Sequence, residues 1–268
     1  TALDRIQFEI GLQLVLIEVV LLLPDLLGII EIVPGLDVMT RDGAHVAVFI
    51  GDYFARSSKR SGAWCSAMRS QAKHPKVQTP IVINVCNFAK SDPALLSYDD
   101  ARTLFHEFGH ALHQMLSDVT YESISGTSVA RDFVELPSQL YEHWLEVPEV
   151  LAEFATHAET GEAMPPALLQ KVLDAATFDM GMPAAIRMRH ATPQCAHVLS
   201  GDGYSSGYYS YMWSEVMDAD AFEAFEEAGG AFDPERAAAL EKHILSAGGS
   251  QDAAELYVAF RGRMPGVE

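Results

Sequence analysis

Hydrophobic and polar residues follow one pattern before about residue 97 and a different pattern after it. In the first part, β-branched runs at 45–50 and 80–86 have the length of strands and are bounded by residues that break regular structure. In the second part, apolar residues recur every three or four positions, as they do in amphipathic helices. The pattern therefore predicts a mainly α-helical chain with a small β-sheet, an α+β fold.

The predicted helices cover most of the chain after residue 97. They span approximately 97–117, 129–147, 148–160, 164–178, 208–228, 233–247 and 251–261. The first of them has the strongest local signals, because Ser97 and Asp100 have the spacing of a capping box at its start. Leu104, Phe108 and Leu112 belong to its apolar stripe.

An apolar segment at the N-terminus precedes the predicted sheet. Residues 12–33 are rich in Leu, Ile and Val, but three acidic residues and a proline interrupt them. Because a membrane span needs roughly 20 predominantly apolar residues, we reject a transmembrane helix here. We predict instead an apolar helical segment over 1–36, which is buried or pairs two copies of the chain as a homodimer. One compact domain is predicted to follow it over 37–268.

Composition and charge narrow the class of partner. Of the 268 residues, 49% are hydrophobic, and 37 acidic against 18 basic residues give a formal net charge of -19. Such a surface has little with which to neutralise phosphates, so neither nucleic acid nor an anionic membrane is an expected partner. The three cysteines are well separated and odd in number, which is not a disulfide framework and favours a reducing, cytoplasmic location.

The motif HEFGH at residues 106–110 carries candidate metal chemistry. On a helix, His106 and His110 project from the same face one turn apart, so their imidazoles can share one zinc ion. Glu107 is offset around the helix, where it can reach a metal-bound water. Gly109 costs a helix about 1 kcal/mol relative to alanine. Its presence indicates a close approach by metal, substrate or backbone.

Two histidines do not complete a catalytic zinc site, which needs a third protein ligand and a position left open to water. In metzincins the motif continues with a glycine three residues and a histidine six residues after the second histidine. Here those positions hold His113 and Leu116, so a metzincin site is excluded. As a fourth ligand, His113 would close the open position. We interpret it as a side chain outside the ligand set, which either supports a ligand or is simply polar, and favour the second interpretation.

A second helix that carries a carboxylate is the usual source of the third ligand. The segment 131–142 offers Asp132, Glu135 and Glu142. Glu135 has apolar neighbours on both sides, an environment in which an unpaired carboxylate costs several kcal/mol and a metal would offset that cost. This reasoning favours Glu135 and leaves Asp132 and Glu142 as rivals.

Several blocks of the sequence resemble the thimet oligopeptidase and peptidyl-dipeptidase family of zinc peptidases. The blocks are FHEFGHALH at 105–113, SGTSVARDFVELPSQ at 125–139, HVLSGDGYSSGYYSYMWSEV at 197–216, HILSAGGS at 243–250 and FRGRMP at 260–265. The resemblance runs from about residue 45 to the end and is closest to bacterial peptidyl-dipeptidases. It implies that 37–268 is a zincin-like metallopeptidase catalytic domain.

The resemblance also implies a role for each residue of the motif. His106, His110 and Glu135 match the family's zinc ligands, which hold one Zn²⁺ per chain. Glu107 matches the general base that takes a proton from the zinc-activated water. Gln139 lies one turn after Glu135, and this spacing alone suggests that it orients a ligand.

The glycine-rich block supplies the remaining candidate residues. By the resemblance, the hydroxyl groups of Tyr208 and Tyr211 are donors to the oxyanion of the reaction, and His197 helps to bind substrate. Without the resemblance, these tyrosines would be interpreted as aromatic packing at the start of a helix. Members of the family are longer, with a helical N-terminal half that forms one wall of a channel, so we expect a more open cleft here.

The expected function is zinc-dependent hydrolysis of peptide bonds in oligopeptides, of the oligopeptidase or peptidyl-dipeptidase type. The alternative is a non-catalytic, zinc-containing peptide-binding or assembly module. Release of C-terminal dipeptides would need groups that hold the terminal carboxylate of the substrate, and the candidates are Arg56, Lys59, Arg60 and the loop around Tyr204. The three basic residues lie in a loop at 56–62, which can equally be a solvated turn.

Overall fold

The computed structural model describes residues 8–9, 29–32, 37–40, 42–90, 96–157, 160–177 and 206–266. Its strands are β1 Phe8–Glu9, β2 Ile29–Ile32, β3 Asp37–Thr40, β4 His45–Phe54, β5 Trp64–Arg69, β6 Ile81–Phe88 and β7 Thr156–His157. Its α-helices are α1 Tyr98–Met115, α2 Leu136–Glu142, α3 Pro148–Phe154, α4 Pro166–Thr177, α5 Tyr209–Ala228, α6 Pro234–Leu240 and α7 Ala253–Arg261. The fold is therefore rich in helix, with a small sheet, as the sequence pattern predicts.

A five-stranded mixed sheet has the strand order β2-β3-β4-β6-β5. The central strands β4 and β6 are parallel and pair from Val48 with Ile81 onward, whereas every other neighbouring pair is antiparallel. Strand β6 is buried along most of its length, while β5, at the edge of the sheet, is largely exposed. The exposed edge strand is therefore open to further pairing on one side within the described part of the chain.

Helix α1 lies on the sheet through its apolar stripe. Its start is fixed by a capping box, because the Ser97 side chain accepts a hydrogen bond from the Asp100 amide while Asp100 accepts one from the Ser97 amide. Phe108 packs edge-on against Phe49 of β4, with ring centroids 5.4 Å apart. The predicted helix at 97–117 and its capping box are confirmed.

Helix α2 packs unusually closely on α1 at Gly109. A Cβ atom on Gly109 would lie 2.6 Å from the carbonyl oxygen of Pro137 and 2.6 Å from the Cα atom of Ser138. Real Cβ atoms do not approach backbone atoms this closely, so the contact depends on glycine. Of the three partners that the sequence leaves open for Gly109, the backbone of a second helix is the one in contact.

Helix α5 covers the other side of α2 and closes the core. The indole of Trp144, just after α2, packs edge-on against Phe222 and Phe225 of α5, with ring centroids 5.3 and 5.2 Å apart. Trp144 and Phe225 are fully buried. The chain thus forms three layers in this region, with the sheet, then α1, then α2 and α5.

Several predicted boundaries are wrong, for local reasons. The helix predicted over 129–147 begins at Leu136, where Pro137 occupies a first-turn position that suits a helix start, and it continues as a 3₁₀ turn over His143–Glu146. The helix predicted over 148–160 ends at Phe154, and the short strand β7 follows it. Strands β3 and β5 have no clear alternation of apolar and polar residues and were not predicted.

The predicted N-terminal helical segment is described only at residues 8–9 and 29–32, which are strands. Its second strand is rich in isoleucine, a β-branched residue that favours extended backbone. The rest of 1–36 lies outside the described residues, so the division at 36 and the homodimer stay predictions. Among the described residues, no helix combines the length and the apolar character that a membrane span requires.

Replacing Gly109 with alanine tests the contact between α1 and α2. Helix propensity alone would make the alanine variant more stable by about 1 kcal/mol. Because the added Cβ would overlap backbone atoms of α2, we expect the opposite sign, with a free energy of unfolding lower by about 1–3 kcal/mol. Urea unfolding of the two proteins without metal measures the difference, and equal or greater stability of Gly109→Ala would contradict the contact.

Candidate metal centre

The two histidines of α1 point at one carboxylate oxygen. The Nε2 atoms of His106 and His110 lie 3.3 and 3.0 Å from the same Oε2 atom of Glu135. The imidazole rings are nearly perpendicular, with centroids 5.0 Å apart. Three potential ligand atoms therefore converge on one point from two elements of the fold.

Glu135 reaches the histidines because it stands at the N-cap position of α2, the helix that packs closely on α1. The single O–H of Ser138 is shared between the Glu135 backbone carbonyl, 2.9 Å away, and the Glu135 carboxylate, 3.1 Å away. Burial alone would raise the pKa of Glu135, but hydrogen bonds to His106 and His110 lower it. Glu135 is thus a buried, ionised carboxylate held in one orientation.

These three side chains fit a zinc ion. Their ligand atoms lie within 4.8 Å of one another, and within the described ranges no other group of three or more His, Cys, Asp or Glu residues has this property. Two imidazole nitrogens and one carboxylate form the donor set of many catalytic zinc sites. The cluster also lines a cleft of about 560 Å³, which leaves a fourth position accessible.

The opposite side of the His106 ring contacts Glu142. Nδ1 of His106 lies 2.6 Å from Oε1 of Glu142, and Nε of Arg102 donates to the other oxygen of that carboxylate. Burial opposes the charged imidazole, but hydrogen bonds to Glu135 and Glu142 raise the pKa of His106 to about 10. The raised pKa means that without metal both ring nitrogens of His106 carry a proton. A bound zinc ion would replace the proton on Nε2, because a ligating imidazole is neutral.

From the sequence, Glu142 is only a rival for the third ligand, and its contact with His106 is not predicted. Neither Glu142 nor Asp132 belongs to the described ligand cluster. Gln139, the residue that spacing suggested for orienting a ligand, has a buried Oε1 atom without a hydrogen-bond partner in the described part of the chain. The seven-residue spacing from Glu135 to Glu142, two helical turns, is the signal that could have identified Glu142.

Glu107 lies beside the cluster and lines the same cleft. Its side chain is buried, and its Oε2 atom has no hydrogen-bond partner among the described residues. Burial raises the pKa of Glu107, which makes the carboxylate a better proton acceptor. This environment suits the general base that the sequence assigns to Glu107.

Tyr208 and Tyr211 line the same cleft as His106 and His110. Tyr208 is the N-cap residue of α5, Tyr211 lies in the first turn, and their ring centroids are 5.0 Å apart. Tyr209, between them, is 54% exposed and is not a lining residue of this cleft. His197, the predicted substrate-binding histidine, lies outside the described residues.

His113 is fully buried, and neither ring nitrogen has a hydrogen-bond partner in the described ranges. Burial lowers the pKa of His113 to about 3, so the ring is neutral at physiological pH. It does not belong to the ligand cluster. This agrees with the interpretation that His113 leaves the fourth position open.

Two of the three cations in the basic loop, Arg56 and Lys59, form ion pairs with Asp52. Lys59 is almost fully buried and donates to the Asp52 carboxylate and to the Asp52 and Phe54 carbonyls. Arg56 and then Lys59 lower the pKa of Asp52 to about 2. The Arg60 guanidinium instead lies over the ring of Trp64, a residue of the cleft, at 5.2 Å from its centroid. Of these three basic residues, Arg60 is therefore the one that contacts a residue lining the cleft. Tyr204, the other candidate, lies outside the described residues.

Comparison with known proteins shows the family of the chain. A model described as "Peptidase family M3" matches residues 31–188 and 178–268, and the chain belongs to this family. It is 35% identical over 275 residues to the dipeptidyl carboxypeptidase of Escherichia coli K12, covering 86% of this chain and 40% of that protein.

Two other relatives are named as oligopeptidases. The chain is 36% identical over 269 residues to oligopeptidase A of Escherichia coli K12, covering 82% of this chain and 39% of that protein. It is 32% identical over 263 residues to the thimet-like oligopeptidase of Dictyostelium discoideum, covering 81% of this chain and 39% of that protein. The chain thus spans about 40% of the length of these curated relatives.

Replacing Glu135 with glutamine tests the ligand set. We expect zinc affinity to fall by more than about 100-fold, beyond the roughly 10–100-fold that loss of an orienting partner costs. Asp132→Asn is the matched control, because it makes the same change three residues earlier, outside the cluster, and should leave zinc affinity unchanged. Competition with a chromophoric chelator measures the zinc affinity of both variants. If Asp132→Asn loses zinc affinity and Glu135→Gln does not, Asp132 is the ligand.

Proposed function

We propose that this chain hydrolyses peptide bonds with one zinc ion, as a peptidase of the oligopeptidase or peptidyl-dipeptidase type. The convergence of His106, His110 and Glu135, beside a buried Glu107, is the observation that carries the proposal. When bound there, zinc supplies a Lewis acid for the peptide carbonyl and a water with a pKa lowered toward neutrality. A zincin-like catalytic domain is the fold that this proposal implies.

Glu107 is the residue that moves the proton. It accepts a proton from the attacking water and delivers it to the leaving amine, so it has to be ionised before the reaction and protonated within it. Its buried position favours the protonated state within the reaction, because burial raises the pKa of Glu107. An exposed glutamate would be a weaker base.

Tyr208 and Tyr211 act on the oxygen of the scissile carbonyl. As that oxygen gains negative charge in the transition state, a phenol hydroxyl close to it donates a hydrogen bond that strengthens with the charge. Both tyrosines line the cleft that contains Glu107 and the ligand cluster, which supports this role. Their position at the start of α5 ties them to the helix that packs on α2.

A peptide is the substrate class that the surroundings of the site favour. Trp64 and Cys65, at the start of the edge strand β5, line the cleft. A peptide in extended conformation can add to an exposed sheet edge through main-chain hydrogen bonds, which recognise backbone rather than sequence. This geometry would carry a substrate past the ligand cluster. The names of the relatives, which are those of peptidases, agree with this class.

Replacing Glu107 with glutamine should abolish catalysis without removing zinc. Glutamine has nearly the same shape but accepts no proton, so we expect kcat to fall by about 10²–10⁴-fold while zinc stoichiometry stays at that of the wild type. Cleavage of a quenched-fluorescent peptide library and zinc analysis of the same samples measure the two quantities. Equal, negligible cleavage by zinc-loaded wild type and Glu107→Gln would instead support a non-catalytic zinc module.

Replacing Tyr208 or Tyr211 with phenylalanine tests the oxyanion donors. Each change removes only a hydroxyl, and we expect kcat/KM to fall by about 10²–10³-fold, the usual effect of losing one such donor. Tyr209→Phe is the matched control, because Tyr209 lies between them on the chain but outside the cleft. If all three variants cleave peptides equally well, the tyrosines have only a packing role.

A further inference from the structure

The imidazole of His106 is held between two carboxylates on opposite sides. Its Nε2 atom faces Glu135, 3.3 Å away, and its Nδ1 atom faces Glu142, 2.6 Å away. The second contact is short for a hydrogen bond, as is typical when the acceptor is an ionised carboxylate. Only 14% of the Glu142 side chain is exposed, so water competes little for this contact.

We propose that the ionised carboxylate of Glu142 is a positioning residue, which fixes the tautomer and the ring orientation of His106 for zinc, and that Arg102 holds Glu142 in place. The inference rests on the proposed zinc site and deepens it. It assigns no contact with substrate to Glu142.

The physical reason lies in the two nitrogens of a neutral imidazole, one of which carries a proton while the other has a free lone pair. A carboxylate that accepts a hydrogen bond from Nδ1 keeps the proton on that atom. The lone pair is then on Nε2, the atom that faces Glu135. Such partners also raise the basicity of the ligating nitrogen, and their loss lowers metal affinity.

Arg102 completes a chain of contacts that starts at the cleft. Its Nε atom donates to Oε2 of Glu142, so the two carboxylate oxygens are divided between Arg102 and His106. Arg102 and His106 are one turn apart on α1, and Glu142, on α2, bridges them. A carboxylate held at both oxygens cannot rotate away from the imidazole without breaking an ion pair.

His110 provides an internal contrast. Its Nδ1 atom is buried and has no hydrogen-bond partner among the described residues. The two histidine ligands are therefore supported differently, since a charged side chain orients only His106 in this part of the chain. Loss of Glu142 should weaken zinc binding by acting on His106 alone.

The test is the zinc affinity of Glu142→Ala and Glu142→Gln, measured by competition with a chromophoric chelator. We expect a loss of about 10–100-fold for Glu142→Ala and a smaller but clear loss for Glu142→Gln, whose neutral amide is a weaker acceptor. Glu146→Gln is the matched control, because it removes the same charge one turn later, from an exposed residue that contacts Tyr98. Its zinc affinity should equal that of the wild type.

A double-mutant cycle with Arg102→Ala separates positioning from general structure. If Arg102 acts through Glu142, Arg102→Ala should weaken zinc binding in the wild type and have no further effect in Glu142→Ala. Full additivity of the two changes would overturn the role of Arg102. If Glu142→Ala fails to fold, Glu142→Gln, which preserves shape, takes its place in the cycle.

The outcomes distinguish this inference from the proposed function. If the wild type binds zinc and the Glu142 variants bind it equally well, the positioning role is wrong and the zinc site stands. If the wild type binds no zinc, both are wrong. Weaker binding by the Glu142 variants, with Glu146→Gln unchanged, supports both.

Discussion

The close contact between α1 and α2 at Gly109 is the constraint on which the site depends. The two histidines belong to α1 and the carboxylate that meets them belongs to α2, so the cluster exists only when these helices almost touch. With no side chain at Gly109, the backbone of Pro137 and Ser138 can approach, and Glu135 comes within 3.0 Å of His110. A glycine that weakens the helix by about 1 kcal/mol is thus compatible with a stable fold, because it permits this packing.

The packing of α2 on α1 also brings three carboxylates together in a largely buried site around His106 and His110. Glu107 and Glu135 are buried, and only 14% of the Glu142 side chain is exposed. Without a cation, three carboxylates at this density would repel one another and lose hydration. A divalent ion bound by His106, His110 and Glu135 relieves that cost, and this electrostatic argument is independent of any relative.

The sequence predicts the parts of the molecule that have local signals. The capping box at Ser97 and the 3.6-residue periodicity define α1 almost to the residue, and the β-branched runs identify β4 and β6. Tertiary contacts decide the rest: β5 forms by pairing with β6, and α2 begins at Leu136 instead of near residue 129. The zinc ligands could be proposed from spacing and resemblance. The residue that contacts Nδ1 of His106 could not, because that contact depends on how α2 packs on α1. That residue is Glu142.

A crystal structure of the zinc-loaded protein, with anomalous diffraction recorded at the zinc edge, tests the central claim most directly. We expect one peak per chain, about 2.0–2.2 Å from Nε2 of His106, Nε2 of His110 and a carboxylate oxygen of Glu135, with water as the remaining ligand. A zinc ion with four protein ligands, or one bound elsewhere with these three side chains unchanged, would contradict a catalytic site of this kind.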